Sequence, residues 1–338
     1  LHTVKPGDKV ELGCFKIEFI KTGHSIAGAV ALAIMTPIGT VIHTGDFKID
    51  FTPIDGEPID INRFAYYGSR GVLALMSDST NIERHGYTQS EREIGPTFER
   101  TFDAAKGRVI VASFASNVYR IQQVADVAIA HGRVLCFQGR SMEQVVQIAM
   151  KLGYLKISPE SIVKVDQLKN YRDEQICVIT TGSQGEPMSG LFRMATATHR
   201  LNIGSGDTVI ISASAIPGNE RSIARVINQL FEHGAMVVYD SMADVHVSGH
   251  ACREELRLML QLVKPKFFIP VHGEYRHLFM HAQLAEEMGV PQQNIFVTEA
   301  GNVVELTVKR GQTNGSVQAG GVMVDGIGDI DDIVLKDR

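Results

Sequence analysis

No apolar run in this sequence approaches the roughly 20 residues that a membrane-spanning helix requires. No segment joins a basic start to an apolar core in the manner of a signal peptide. Tryptophan is absent and aromatic residues make up only 7% of the chain, but hydrophobic residues make up 44% of its 338 residues, enough to fill the cores of about two domains. We therefore expect a globular cytoplasmic protein without membrane attachment.

Cysteine is scarce and widely spaced, at Cys14, Cys136, Cys177 and Cys252. No two of these residues form a Cys-x-x-Cys pair. This spacing argues against a disulfide framework and against a zinc knuckle. We expect four reduced thiols that are partly buried.

The chain also lacks an excess of positive charge, with a formal net charge of −5 and a pI near 6.2. This balance argues against a protein that coats nucleic acid through a broad basic surface. It does not exclude phosphate binding inside a cleft, because divalent cations and a few local Arg and Ser side chains can hold phosphates while the outer surface stays acidic.

The first stretch of the chain alternates short strand patterns with turns. The predicted strands are Lys9–Leu12, Lys16–Lys21, Val30–Pro37, Thr40–His43 and Val72–Met76. From about Ser90 the period becomes helical, and Ser90-x-x-Glu93 is a capping-box signature that predicts a helix to about Ala105. Strands and helices then alternate, a pattern typical of a parallel sheet with helices on both faces.

The alternating region extends to Tyr239. Its predicted strands are Arg108–Ser113, Val134–Gln138, Ile176–Thr181, Thr208–Ala213 and Met236–Tyr239. Its predicted helices are Asn117–His131, Ser141–Leu152 and Asn219–His233. The earlier pattern then returns, with helix Arg253–Val263, strand Lys266–Val271, helix His277–Met288, a strand near Ile295–Thr298, a linker over Gly311–Gly321 and a further β element over Met323–Lys336. This order predicts a β-rich domain that an α/β domain interrupts.

Polar clusters rich in His and Gly stand at four predicted strand ends. They are Thr22-Gly23-His24-Ser25, His43-Thr44-Gly45-Asp46, Val247-Ser248-Gly249-His250 and Val271-His272-Gly273-Glu274. Glycine lets the backbone turn sharply into a shared cleft. Imidazoles and a carboxylate from separate loops suit a zinc or manganese site, and an Asp can bridge two ions. A single His beside a Gly is more often a surface residue, so this prediction depends on all four clusters together.

These clusters and several further motifs resemble the ribonuclease J family, which belongs to the β-CASP group of the metallo-β-lactamase superfamily. The further motifs are Ser77-Asp-Ser-Thr-Asn, Phe114-Ala-Ser-Asn, Thr181-Gly-Ser-Gln-Gly-Glu-Pro, Ile216-Pro-Gly-Asn, His246-Val-Ser-Gly-His and Lys264-Pro-Lys-Phe-Phe-Ile-Pro-Val-His-Gly-Glu-Tyr-Arg. They run in order along almost the whole chain. The resemblance implies an αββα metallo-β-lactamase sandwich with an inserted β-CASP α/β domain.

The resemblance also implies roles for individual residues. His24 is expected to bind one metal, His272 a second, and Asp46 to bridge both. His250 matches the histidine that protonates the leaving oxygen, and Asp78 the acid that orients it. For Asp78, a plain cap of the following turn remains an alternative. The implied cofactor is two Zn²⁺, with Mn²⁺ or Mg²⁺ as substitutes.

One departure from the family concerns the His-x-His-x-Asp-His motif, which supplies the other four ligands. The motif is absent from this chain. We expect it to precede Leu1 in a longer protein and expect weak metal occupancy in its absence. This departure keeps a non-catalytic RNA-binding or scaffold role open. A metallo-β-lactamase-fold hydrolase of small esters is a third possibility, although such an enzyme would not need the inserted domain.

The resemblance places the 5′ phosphate and the first nucleotides of single-stranded RNA in a pocket. Its residues are Ser113, Ala115, Ser116, Asn117, His246, Val247, Ser248, Gly249 and His250. The Ser/Asn loop precedes a predicted helix, whose N-terminus favours an anion, but plain N-capping explains it as well. Ser212, Ser214 and Asn219 are weaker candidates, as is Arg120, for which a solvent-facing position is the alternative.

The expected domains are residues 1–88 and 240–311 for the metallo-β-lactamase part, 89–239 for the β-CASP part and 312–338 for a linker and the start of a C-terminal region. The family implies 5′→3′ exonucleolytic and endonucleolytic cleavage of mRNA and rRNA precursors with a preference for a 5′ monophosphate. It also implies a homodimer or homotetramer, within an RNA-degradation complex.

Overall fold

The computed structural model describes residues 2–216 and 218–321. Its strands are β1 Lys9–Leu12, β2 Phe15–Lys21, β3 Val30–Thr36, β4 Gly39–His43, β5 Val72–Asp78, β6 Val109–Ala112, β7 Val134–Gln138, β8 Ile176–Thr180, β9 Thr208–Ile211, β10 Met236–Tyr239, β11 Pro265–Val271, β12 Asn302–Leu306 and β13 Gly311–Ser316. Its α-helices are α1 Ile61–Arg70, α2 Gly95–Ala104, α3 Val118–Ala130, α4 Arg140–Lys151, α5 Gly190–Ala195, α6 Glu220–Glu232, α7 Arg253–Val263 and α8 Tyr275–Glu287.

The first sheet combines five strands from the first part of the chain with β11 from its last third. Its six strands have the order β1-β2-β3-β4-β5-β11. Strands β1 to β4 pair antiparallel, whereas β5 pairs parallel with both β4 and β11. Alternate residues of β2 and β3 are buried against helices α1, α7 and α8, as expected for a sheet with one face on a core. This predicted β-rich domain is thus built from separated parts of the sequence.

The second sheet is the interrupting α/β domain. It is wholly parallel, with the order β10-β9-β6-β8-β7. Strands β6 and β8 are buried along their whole length because helices cover both faces, which explains their continuous Val and Ile content. Helices α2, α3 and α4 pack on one face, and α5 and α6 pack on the other. The prediction of a parallel sheet with helices on both faces is confirmed.

The hairpin β12–β13 covers part of the other face of the first sheet. Val304 and Leu306 of β12 pack against Phe267 and Ile269 of β11. The predicted strand near Ile295–Thr298 is wrong, because in that segment only an isolated bridge forms, from Ile295 to Phe268.

The linker predicted over Gly311–Gly321 is also wrong in part, since its first residues form β13. Polar residues pair there because the strand lies at an exposed edge, and Gly311 leaves room for the rings and methyl groups of Phe296 and Leu306. The β element predicted over Met323–Lys336 lies outside the described residues.

The start of α2 differs from the prediction, and α1 was not predicted at all. Ser90 accepts from the backbone N–H of Arg92 and opens a 3₁₀ turn, and α2 begins at Gly95, where Pro96 suits the first helical turn. The predicted pairing of Ser90 with Glu93 is therefore wrong. Helix α1 had no prediction, although Asp60 caps it and apolar residues recur at Ile61, Phe64 and Tyr67.

The four cysteines are free, and all but Cys14 are buried. In the part of the chain with described coordinates, no helix has the length and apolar character that crossing a membrane demands.

Helices α1 and α7 cross in close contact at Gly68. A Cβ atom at this position would overlap the carbonyl oxygen of Leu262. We expect Gly68→Ala to destabilise the protein by about 1–3 kcal/mol, because the helices must separate. Urea unfolding measures the change, with Asn62→Ala on the exposed side of α1 as the control. Equal midpoints for the two variants would contradict this packing.

Candidate metal and phosphate site

Four strands of the first sheet end at one edge. β4, β5 and β11 run in the same direction, and β2 shares it because antiparallel β3 lies between β2 and β4. The loops that follow β2, β4 and β11 carry His24, Asp46 and His272, and Asp78 is the last residue of β5. Polar groups from distant sequence positions therefore lie together.

Asp46 lies between two histidines. Its Oδ2 is 3.9 Å from Nε2 of His24 and 3.8 Å from Nε2 of His272. The loops of His24 and Asp46 are held together by a bridge between Gly23 and Lys48, where a Cβ on Gly23 would come within 2.8 Å of the Lys48 carbonyl oxygen. Glycine is therefore required for this approach.

His24 presents its Nε2 as an unprotonated nitrogen. Nδ1 lies 2.8 Å from the carbonyl oxygen of Gly249, and a carbonyl only accepts, so Nδ1 carries the hydrogen. Burial lowers the pKa of His24, which keeps the imidazole neutral. A neutral imidazole with a free Nε2 is the form that binds a metal.

His272 has a left-handed backbone conformation, with φ of +59°. This conformation is uncommon for a residue with a side chain and is found where surrounding structure enforces it, often at functional sites. The side chain is about half exposed, at 52%. The turn thus directs the imidazole out of β11 toward Asp46.

His250 and Asp78 form a hydrogen-bonded pair. Nδ1 of His250 is 2.7 Å from Oδ2 of Asp78, while Oδ1 of Asp78 accepts from the backbone and hydroxyl of Thr80. Burial would raise the pKa of Asp78, but the hydrogen bonds from His250 and Thr80 hold this pKa below its ordinary value. Asp78 therefore both caps its turn and contacts His250, so the two alternatives for this residue are compatible.

The charge of Asp78 acts on His250 in return. Burial favours the neutral imidazole, but the hydrogen bond and charge of Asp78 raise the pKa of His250 above its ordinary value. The carbonyl of His250 accepts from Asn81 Nδ2 at 3.0 Å and from Thr88 Oγ1 at 2.8 Å. The imidazole is thus held in one position and can carry a proton.

Glu255 is a fully buried carboxylate that the sequence reasoning missed. It accepts from the backbone N–H groups of Ile49, Thr88 and Cys252, at 2.6–2.7 Å. These contacts hold the chain that follows Asp46 beside the start of α7. Its position three residues after the N-cap Cys252 is a capping-box signal that could have identified it.

A compact set of donor atoms suits a metal ion. Ligand atoms of Asp46, Asp78, His250 and His272 all lie within 4.8 Å of one another, and His24 adjoins this set through Asp46. Imidazole nitrogens with carboxylate oxygens are donors that zinc and manganese accept. The residues present therefore fit a metal cofactor.

A cavity of about 480 Å³ opens beside these donors. Its wall includes His24, His250 and His272 together with Ser116, Asn117, His246, Ser248, Gly249 and Ser214. Three predicted pocket residues, Ser113, Ala115 and Val247, are not on this wall: Ser113 and Val247 are buried, and Ala115 packs against the core of the second sheet. Ser212 is buried, and its hydroxyl donates a hydrogen bond to the carbonyl oxygen of Val245. Asn219 lies immediately before α6 and is not part of the cavity wall.

Asn117 has the two roles that the sequence left open. Its Oδ1 caps α3 by accepting from the backbone N–H of Arg120 at 3.2 Å, yet the residue also lines the cavity. The solvent-facing position considered for Arg120 is wrong, because its side chain is 0% exposed and bonded to Glu91 and His246. The apolar face of α3 provided the signal, since Arg120 lies one turn before buried Val124.

Two family models match parts of the chain. The one described as ribonuclease J, beta-CASP domain matches residues 106–230. The one described as Zn-dependent metallo-hydrolase RNA specificity domain matches residues 235–297. These ranges cover the second sheet and then the His250 loop, α7, β11 and His272.

Several proteins named ribonuclease J are similar to this chain. The Helicobacter pylori protein is 48% identical over 94% of the chain and 46% of its own length. The Synechocystis protein is 44% identical over 100% of the chain and 53% of its own length. Ribonuclease J2 of Bacillus subtilis is 43% identical over 96% of the chain and 59% of its own length. The chain thus spans about half the length of these relatives.

One solved structure, described as a protein of unknown function from Enterococcus faecalis, is similar in fold. The superposition covers 88% of this chain and 66% of the Enterococcus faecalis chain, with a TM-score of 0.59 and 15% sequence identity. At this identity the likeness shows the fold alone.

The position of Asp46 between two imidazoles predicts its effect on metal binding. We expect Asp46→Asn to weaken Zn²⁺ binding at least about tenfold, because the shared carboxylate charge is lost. Calorimetric titration of Zn²⁺ into the protein measures the affinity. Asp244→Asn, at an exposed position, is the control and should bind as the parent does. Unchanged affinity in Asp46→Asn would remove Asp46 from the site.

Proposed function

Because this chain belongs to the ribonuclease J family of the metallo-β-lactamase superfamily, we propose that it carries much of the active centre of a metal-dependent ribonuclease. The observation that supports this most is the arrangement of Asp46 between His24 and His272, beside the His250–Asp78 pair, on the wall of one cavity. Cleavage of mRNA and rRNA precursors, both from the 5′ end and internally, is the activity we propose.

His24, Asp46 and His272 would hold the metal, which we propose to be two Zn²⁺, with Mn²⁺ or Mg²⁺ as substitutes. Two four-coordinate ions need more donors than these three side chains provide, and the His-x-His-x-Asp-His motif is not among the residues of this chain. When bound, such ions supply an activated water and neutralise charge that develops on a phosphate.

His250 is the proton donor of the proposed reaction. As the bond from phosphorus to the 3′ oxygen breaks, the imidazolium gives its proton to that oxygen, which leaves as a hydroxyl. Asp78 stabilises the protonated ring before this step and orients it through Nδ1, which leaves Nε2 to face the substrate. The products would carry 5′ phosphates.

The substrate would enter along the part of the cavity wall that carries Ser116, Asn117, Arg84 and Arg276, which we call the phosphate wall. Ser116 and Asn117 lie at the start of α3, where backbone N–H groups and the helix dipole favour an anion. Arg84 and Arg276 add positive charge to the same wall, although Arg276 is also paired with Glu83 and Glu274. These local cations support binding of single-stranded RNA with a 5′ monophosphate despite the net charge of −5.

We propose the division into residues 1–88, 89–239 and 240–311, supported by the two separate sheets. The last boundary moves to after Ser316, because β13 pairs with β12. From the family we further propose a cytoplasmic homodimer or homotetramer acting within an RNA-degradation complex.

The assigned role of His250 predicts a defect in turnover. We expect His250→Ala in the metal-loaded full-length enzyme to lower kcat about 10²- to 10⁴-fold while RNA affinity and metal content change little. Single-turnover cleavage with parallel binding and metal assays measures this. His2→Ala, an exposed histidine, is the control. A parental cleavage rate would exclude His250 as the acid.

Substrate class separates the proposal from its alternatives. We expect the full-length enzyme to cleave a 5′-monophosphorylated oligoribonucleotide and to leave a panel of small esters unchanged, because the phosphate wall has no role in ester hydrolysis. Ester turnover without RNA cleavage would favour the small-ester hydrolase. RNA binding with less than one tightly bound metal per chain and no cleavage would favour the scaffold role.

A further inference from the structure

The guanidinium of Arg120 is fully buried, and every one of its N–H groups donates a hydrogen bond. Nε and Nη2 donate to Oε1 of Glu91 at 2.8 and 2.6 Å. Nη1 donates to the Ser212 carbonyl at 2.9 Å and to Nδ1 of His246 at 2.7 Å, and Nη2 also donates to the Val247 carbonyl at 3.1 Å. An arginine has five N–H donors, so none is left unpaired.

These contacts connect separate parts of the fold. Arg120 lies in α3 and Glu91 precedes α2, while His246 and Val247 lie in the loop between β10 and α7 that also carries His250. A buried ion pair adds little stability over an apolar replacement, but its geometry is directional. The planar fork of Arg120 therefore defines where the loop lies against the inserted domain.

The contact with Arg120 determines which nitrogen of His246 carries hydrogen. Arginine only donates, so Nδ1 must accept, and the hydrogen is on Nε2. Burial, with the charges of Arg120, Arg84 and Lys48, lowers the pKa of His246 to about 3. His246 lines the cavity, and its Nε2 has no hydrogen-bond partner among the residues with described coordinates.

We infer that Arg120 is a positioning residue that holds His246 with its hydrogen on Nε2, as a donor to a phosphate group of the substrate in the cavity. This inference rests on the proposed function for its ligand, a phosphorylated RNA end. Asp78, Asn81 and Thr88 hold His250 independently of Arg120. Loss of Arg120 should therefore affect substrate binding more than the proton-transfer step.

A double-mutant cycle in the metal-loaded full-length enzyme tests this coupling. We expect Arg120→Lys to raise KM for a 5′-monophosphorylated oligoribonucleotide about tenfold, as for loss of a charged hydrogen bond, with little change in kcat. In a His246→Ala background the same substitution should add almost nothing. An equal rise in both backgrounds would overturn the inference.

Arg133→Lys is the matched control. Arg133 is also buried in the inserted domain, but it donates to the carbonyls of Ala105, Gly107 and Ile176 and does not line the cavity. Its loss of stability should resemble that of Arg120→Lys, while KM stays at the parental value. A KM rise as large as that of Arg120→Lys would show that general destabilisation explains the effect.

A spectroscopic measurement needs neither activity nor a stable Arg120 variant. Two-bond ¹H–¹⁵N correlations distinguish the two tautomers of a neutral imidazole, and His246→Ala identifies the signal. At neutral pH the parent should show His246 only as the Nε2–H tautomer. An Nδ1–H tautomer or an imidazolium would overturn the inference. Absence of RNA cleavage by the parent enzyme would instead refute the proposed function and leave this result standing.

Discussion

The candidate site depends on the common direction of four strands in the first sheet. Parallel pairing aligns the ends of β4, β5 and β11, and β2 ends at the same edge because one antiparallel strand lies between it and β4. A slip of one residue between β5 and β11 would move His272 by about 3.3 Å, more than a metal ligand tolerates. The pairing of Val271 with Asp78 therefore sets the spacing of the site.

Buried polar groups, rather than apolar packing alone, hold the loops at this edge. Glu255 accepts from three backbone N–H groups, and Arg120 donates to three chain segments. Such contacts are directional, and each group left unpaired would be costly in a buried setting. The fold thereby fixes the position of the inserted domain relative to the edge of the first sheet that carries the proposed metal ligands. The proposed proton donor, the metal ligands and the phosphate wall therefore face one cavity.

Local periodicity was a good guide to most of the elements. Strands β1 and β10 and helix α7 lie where the pattern predicts them, because alternation and helical spacing are properties of neighbouring residues. Helix α1 and the β12–β13 hairpin were missed. The hairpin strand Gly311–Ser316 is polar and exposed, so its pairing depends on Phe296 and Leu306 rather than on its own pattern.

The sequence by itself determined the residue types and their order: histidines and acids beside glycines at strand ends, and an α/β insertion between two β-rich segments. Short-range chemistry is sufficient for those inferences. Only the tertiary structure decided that His24 and His272 lie on either side of Asp46. It also decided that Ser113 and Val247 are buried, and that Arg120 is buried with a hydrogen bond to His246. These facts depend on pairing between strands and loops that are far apart in the chain, and no local pattern encodes such distances.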